Sequence, residues 1–144
     1  MLLSNYDTLV TKVLAEAESI SFDLKHNTVG TDHLLLAILQ EKESKLRIIL
    51  EKYHLTYDIL KEEIISSYGK ITTFSPYLEY TTYLSQLLQN ALILGRKKSE
   101  IKISLNTLSI ALLEMKNIKT IDLLTILKVP IKKVINELKK VNES

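Results

Sequence analysis

Three histidines, His26, His33 and His54, together with a set of helix-borne acids, are the side chains of this sequence whose chemistry extends beyond packing. Imidazole and carboxylate groups hold metals or move protons, but they need spacings such as His-Glu-x-x-His, and no such spacing occurs here. The acids Glu62-Glu63, and Glu16 with Glu18, lie in helical stretches and read as solvated faces, not as an acid and a base poised over a substrate. Serines and threonines fall in cap and turn contexts, without a nucleophile elbow. The absence of cysteine excludes a thiol nucleophile, a thiolate zinc site and a disulfide together. The Gly-Lys pair Gly69-Lys70 is followed by Ile71, so the Gly-x-x-x-x-Gly-Lys-Ser/Thr phosphate cradle is missing. No catalytic residue, metal or cofactor is expected.

The cations give no stronger lead. Arg96-Lys97-Lys98, Lys102, Lys132-Lys133 and Lys139-Lys140 read as solvent-facing runs in a chain of net charge +2. Residues 1–72 carry 8 basic and 11 acidic side chains and residues 73–144 carry 11 and 6, a split too mild for a dedicated nucleic-acid binder. The stretch from Leu105 to Met115, if taken as a recognition helix, is apolar and offers no Arg, Lys or Gln to base edges. Neither nucleic acid nor membrane is an expected partner. The apolar run Leu34 to Leu39 is far shorter than the ~20 residues that span a bilayer, and Asp7 interrupts the amino terminus before a signal core could form. A soluble, cytoplasmic protein is expected.

The elements that position these side chains follow from apolar spacing. Three Gly and two Pro in 144 residues, with 46% hydrophobic residues, indicate an all-α chain. Val10, Val13, Leu14, Ala17, Ile20 and Leu24 form one stripe and predict a helix over 7–25, which breaks at Lys25 to Gly30. Thr31 reads as the N-cap of a second helix, with Asp32 at its positive end and an apolar run that marks it as central and buried. Helices are predicted over 44–53 and 57–67, then over 81–97, 105–115, 118–127 and 130–141, with Pro130 in a first turn.

An offset of 74 residues superposes the chain on itself. Tyr6 falls on Tyr80, Val13-Leu14 on Leu87-Leu88, Ala17 on Ala91, Leu34 on Leu108, Leu50 on Leu124 and Glu63 on Glu137. The expected architecture is one domain over 1–144 made of two four-helix repeats related by a pseudo-twofold axis. Repeat one covers about 4–69, a linker about 70–79, and repeat two about 80–144. A lone repeat has a marginal core, so the halves are expected to bury each other.

The segments Lys12-Val13-Leu14-Ala15-Glu16-Ala17 and His26-Asn27-Thr28-Val29-Gly30-Thr31-Asp32-His33-Leu34-Leu35 resemble the Clp amino-terminal repeat, whose hallmark is a Gly-Thr-Glu-His-Leu-Leu helix start after a His-Asn loop. The likeness is greatest to the ClpC type and covers the whole chain, since that domain is itself a doubled four-helix repeat. It implies a non-enzymatic domain that docks adaptor proteins and protein substrates for an ATP-dependent unfoldase, the motor lying elsewhere in a longer protein. The alternative is a stand-alone relative that regulates or assembles a Clp protease.

In the family, the acid of each helix start pairs with the guanidinium of phosphoarginine while nearby helix-start amides receive the phosphate, a division that suits the anion preference of helix N-termini. The resemblance carries that site onto Gly30, Thr31, Asp32 and His33, with Asp32 one methylene shorter than the family's Glu. Repeat two departs further: it reads Ser104-Leu105-Asn106-Thr107-Leu108, with Asn106 and Thr107 in place of acid and histidine. A residual site is expected in repeat one alone. Read without the resemblance, Asp32 is a first-turn acid stabilising the helix dipole and His33 a hydrogen-bonded core histidine. Tyr6 and Tyr80 open the two repeats at equivalent places, where the family keeps an aromatic near the partner surface, and a hydrophobic staple fits them equally well. Leu3 extends an apolar groove there, and Thr81 adjoins Tyr80 on the same expected surface.

Overall fold

The structure, a computed structural model, describes residues 3–68 and 79–141. After a 3-10 turn at Leu3–Asn5 come α1 (Thr8–Asp23), β1 (Thr28–Val29), α2 (Thr31–Gln40), α3 (Lys45–Lys52) and α4 (Tyr57–Tyr68). Then follow β2 (Glu79–Tyr80), α5 (Thr82–Lys97), α6 (Leu105–Leu113), α7 (Lys119–Ile126) and α8 (Ile131–Val141). Among the described residues the fold is all-α with eight helices, and two short strands are its departure from a purely helical reading. Residues 70–78 of the expected linker lie outside the described residues, and Glu79, placed in the linker by its sequence context, is instead the first residue of β2.

The stripe on α1 buries Val10, Val13, Leu14, Ala17 and Ile20, and Asp7 caps the helix by accepting from the Val10 amide at 3.0 Å. The helix ends at Lys25, which takes a left-handed φ of 60°. The residue 74 positions on, Ser99, ends α5 with φ 63°, and His54 and Lys128 repeat the device after α3 and α7 with φ 64° and 63°. Thus the duplication is written in the backbone as well as in the core. α2 is buried from Thr31 to Leu39, which makes it the axis of the first half, and α6 is buried at eight of its nine positions. Leu34, Leu35, Leu36 and Ile38 are wholly enclosed.

The halves are joined by reciprocal backbone bridges. β1 pairs with β2 in parallel, Val29 opposite Tyr80, and Thr81 donates to the Val29 carbonyl at 2.9 Å. At the positions 74 residues displaced, Tyr6 pairs in parallel with Ile103, and Asp7 donates to the Ile103 carbonyl at 3.0 Å. Each repeat's lead-in therefore docks beside the segment that opens the second helix of the other. Parallel neighbours cannot be joined by a tight turn, and here the helices between them supply the crossover.

Two cap assignments need correction. The N-cap of α2 is Gly30, not Thr31, whose hydroxyl instead meets Thr120 Oγ1 of α7 at 2.7 Å in a buried contact. Pro130 sits one residue ahead of α8, its carbonyl accepting from the Val134 amide at 3.1 Å. Among the described residues no helix is long and apolar enough to cross a membrane.

Candidate functional site

α2 begins on a glycine, so no cap side chain can accept from its first-turn amides, and the following residues take over. Asp32 Oδ1 accepts from the His33 amide at 3.0 Å, and His33 Nδ1 accepts from the Gly30 amide at 2.9 Å, the backward half of a capping box. The Thr31 and Asp32 amides have no intrahelical acceptor by the geometry of a helix start. Because Gly30 N–H is a donor, His33 Nδ1 carries no proton, and the neutral ring holds its proton on Nε2. That nitrogen lies 2.7 Å from His26 Nδ1 and donates to it, which leaves the His26 proton on Nε2.

The cavity above this helix start, about 190 Å³, is lined by His26, Asn27, Thr28, Gly30, Asp32, His33, Tyr68 and Thr81. Thr81 arrives from the other half through the β1–β2 pairing, while its own hydroxyl caps α5 by accepting from Leu84 N at 3.1 Å. Tyr68, at the end of α4, stacks obliquely on His26 with ring centroids 5.1 Å apart, and the Lys119 ammonium lies 3.7 Å from the Tyr68 ring centroid. Asp32 is 3% exposed, and among the described residues its second oxygen, Oδ2, is buried with no hydrogen bond that meets geometric criteria. Burial, then the Asp32 charge and a hydrogen bond with the Asp32 side chain, push the Tyr68 pKa well above the usual range for tyrosine. A Cβ on Gly30 would stand 2.6 Å from Asp32 Oδ1, so glycine is what lets the acid fold back over the helix start.

Burial lowers the pKa of both histidines, and the Asp32 charge opposes that in each case. In the unfolded chain each protonates near pH ~6.5, whereas the folded pair resists protonation. Their contribution to stability is therefore complete above about pH 6.5 and is lost as pH falls from there toward the lowered folded values. Glu41, held below its usual pKa chiefly by its hydrogen bond from Lys12, acts in a separate and more acidic window, below the ordinary carboxylate range. We expect the thermal midpoint to fall between pH 7 and 5, and to fall much less in His33→Gln, whose amide oxygen still accepts from Gly30 N–H but does not titrate. Parallel curves for the two proteins across that interval would show that this pair does not set the slope.

At the corresponding place in repeat two the helix start is filled from within. Ser104 caps α6, its amide facing Glu100 Oε1 at 3.5 Å and its hydroxyl donating to Glu100 Oε2 at 2.9 Å. Lys98 Nζ donates to Thr107 Oγ1 at 3.2 Å, and Asn106 Nδ2 donates to the Leu138 carbonyl at 3.1 Å. Asn106 and Thr107 thus tie α6 to its surroundings and lie at a different helix start from Gly30, Asp32 and His33.

For Tyr6 the sequence leaves two places open, close to a partner surface or packed as a staple over α1. It is buried, 4% exposed, and donates to the Leu88 carbonyl at 2.8 Å, which ties repeat one beneath repeat two. Tyr80 is half-buried and donates to Glu18 Oε1 at 3.3 Å, and its pKa is pushed up to about 12, mainly by burial. The two tyrosines share a separate cavity of about 380 Å³. Leu3 is 47% exposed and outside that lining. Sequence reasoning passed over Asn27 and Thr28 as site residues, although they sit inside the quoted helix-start motif. It passed over His26 too, whose seven-residue spacing from His33 crosses a break. Tyr68 left no local signal at all. Among the described residues no group of three His, Asp or Glu converges to hold a metal.

The duplicated four-helix frame, with a polar helix start opening between its halves, defines a domain class. Over residues 5–127 the chain matches the family model described as the Clp repeat (R) N-terminal domain, and it belongs to that family. It is 29% identical over 97 residues to the ATP-dependent Clp protease ATP-binding subunit ClpC of Staphylococcus aureus, a match covering 67% of this chain and 12% of that protein. The chain therefore spans about an eighth of the relative's length. The N-terminal domain of ClpD from Arabidopsis thaliana superposes with a TM-score of 0.79 at 13% identity, covering 100% of this chain and 98% of that one. The ClpV N-domain in complex with a VipB peptide gives a TM-score of 0.68 at 23% identity, covering 85% and 79%.

Proposed function

We propose that this chain is a non-catalytic docking domain of a ClpC-like unfoldase, presenting protein partners to a motor, and that its first helix start takes an arginine-linked phosphate. The buried Asp32 carboxylate, whose Oδ2 has no close donor among the described residues and borders a 190 Å³ cavity, carries this reading. A guanidinium supplies the donors that Oδ2 lacks, and a phosphate meets the Thr31 and Asp32 amides at the positive end of α2. The ClpV N-domain in complex with a VipB peptide supports peptide capture by this fold. Glu100, an anion already seated at the α6 start, leaves no equivalent position for phosphate in repeat two.

Calorimetric titration with an arginine-phosphorylated peptide tests the proposal. One site per chain is expected, with no heat from the same peptide unphosphorylated. Two equal sites, or equal binding of both peptides, would overturn the phosphate reading. Adaptors and unfolded substrates of Clp unfoldases test the broader docking role.

A further inference from the structure

A groove between α3 and α8 shares no lining residue with the helix-start cavity. It encloses about 350 Å³ between Lys45, Ile48, Ile49 and Lys52 of α3 and Glu137 and Lys140 of α8. The four α3 residues follow i, i+3, i+4, i+7 spacing and so present one face. Ile49 is 5% exposed and forms the floor, whereas Ile48, 46% exposed, stands at the rim as uncovered aliphatic surface. Glu137 Oε1 already accepts from the Tyr53 hydroxyl at 3.3 Å. Lys45, Lys52 and Lys140 are exposed, and among the described residues none of the three has an acid within ion-pair distance, although neighbouring Lys139 reaches Glu114 at 3.7 Å.

The duplication supplies an internal control. The equivalent positions in the other half are Lys119, Asp122, Leu123 and Ile126 with Glu63 and Ser66, one lysine against two acids. Even that lysine is occupied, since it lies over the Tyr68 ring. The fold thus tolerates an acidic version of this surface, and the three-lysine version is a property of one groove alone. Lysines around an aliphatic strip are complementary to carboxylates flanking an aliphatic side chain.

We propose that the α3/α8 groove docks an acidic segment of a partner protein, its aliphatic side chain resting on Ile48 and Ile49 and its carboxylates meeting Lys45, Lys52 and Lys140. Attraction of opposite charge gathers the segment, and the strip holds it. The site stands apart from the phosphoarginine reading and does not depend on it.

The test uses a fluorescein-labelled peptide, Glu-Glu-Leu-Glu-Asp-Leu-Leu-Glu-Asp, followed by anisotropy and by amide shifts in a 15N-labelled chain. Binding is expected, weakening with salt, with shifts centred on 45–52 and 137–140 of the unaltered protein. The double variant Lys45→Glu, Lys52→Glu and the single variant Ile48→Asp should each weaken it about tenfold or more, whereas Lys97→Glu and Asp32→Asn should leave it within about twofold. These altered groove side chains are exposed, and the shift map on the native chain reads the site without any substitution. No binding, shifts centred elsewhere, or affinity that survives the lysine reversals would overturn the proposal. So would equal binding of the peptide with Ser in place of Leu, or of a DNA duplex, either of which would mark a nonspecific attraction for anions.

Discussion

Asp32→Asn is expected to weaken phosphoarginine binding at least about tenfold while leaving the domain as stable as the native chain, or slightly more so. The carboxylate is enclosed, and among the described residues one of its oxygens has no close donor, a state that costs free energy in the absence of a ligand. Asparagine keeps the Oδ1 acceptor for the His33 amide and removes the buried charge, forfeiting about 0.3–1 kcal/mol of helix-dipole stabilisation. These effects nearly cancel in the empty protein. With a guanidinium in the cavity they do not cancel, because charge-assisted hydrogen bonds are worth about 1.5–3 kcal/mol each and the new amide would present donors to donors. A loss of at least about tenfold in affinity follows from about 1.4 kcal/mol. Calorimetry and a thermal melt on the same variant separate the two readouts. Undiminished binding would remove Asp32 from the site, and a loss of stability beyond about 2 kcal/mol would make it a structural cap.

Leu36→Ala should destabilise the protein by about 2–5 kcal/mol, a large part of the ~5–15 kcal/mol that holds an ordinary domain folded. Leu36 is wholly enclosed on α2, a helix buried on every face, so the cavity left by truncation has no solvent side into which the structure can relax. Since α2 packs both within its own half and against α5 and α7, the loss should appear as one earlier unfolding transition in urea, not as separate melting of the halves. Ile101, 85% exposed, is the internal reference: its replacement by Ala should shift stability by no more than about 0.5 kcal/mol. A cost below about 1 kcal/mol at Leu36, or a two-step transition, would contradict this picture of the core.

The helices were legible because their apolar positions recur every three to four residues, and the predicted bounds lie within two residues of those observed. The cap of α2 was misplaced because Gly30 and Thr31 both satisfy local cap chemistry, and only the buried contact of Thr31 with Thr120 decides between them. Asp32 and His33 could be singled out from their place in a motif, but their environment could not. The His26 ring, the Tyr68 hydroxyl and the Thr81 side chain reach the cavity from three other elements, and tertiary packing alone brings them there. Tyr6 shows the same limit in reverse. Its alignment with Tyr80 was visible, but the depth at which each lies depends on where its hydroxyl finds an acceptor, Leu88 for one and Glu18 for the other.

The reciprocal bridges at Tyr6–Ile103 and Val29–Tyr80 give the domain a mechanical character. Tension applied ahead of α1 is delivered first to Ile103, across the molecule, and tension ahead of α5 is delivered to Val29. A load on either lead-in is thus shared by the opposite half from the outset, as in two clasped hands, and neither half can be peeled away while the other stays at rest.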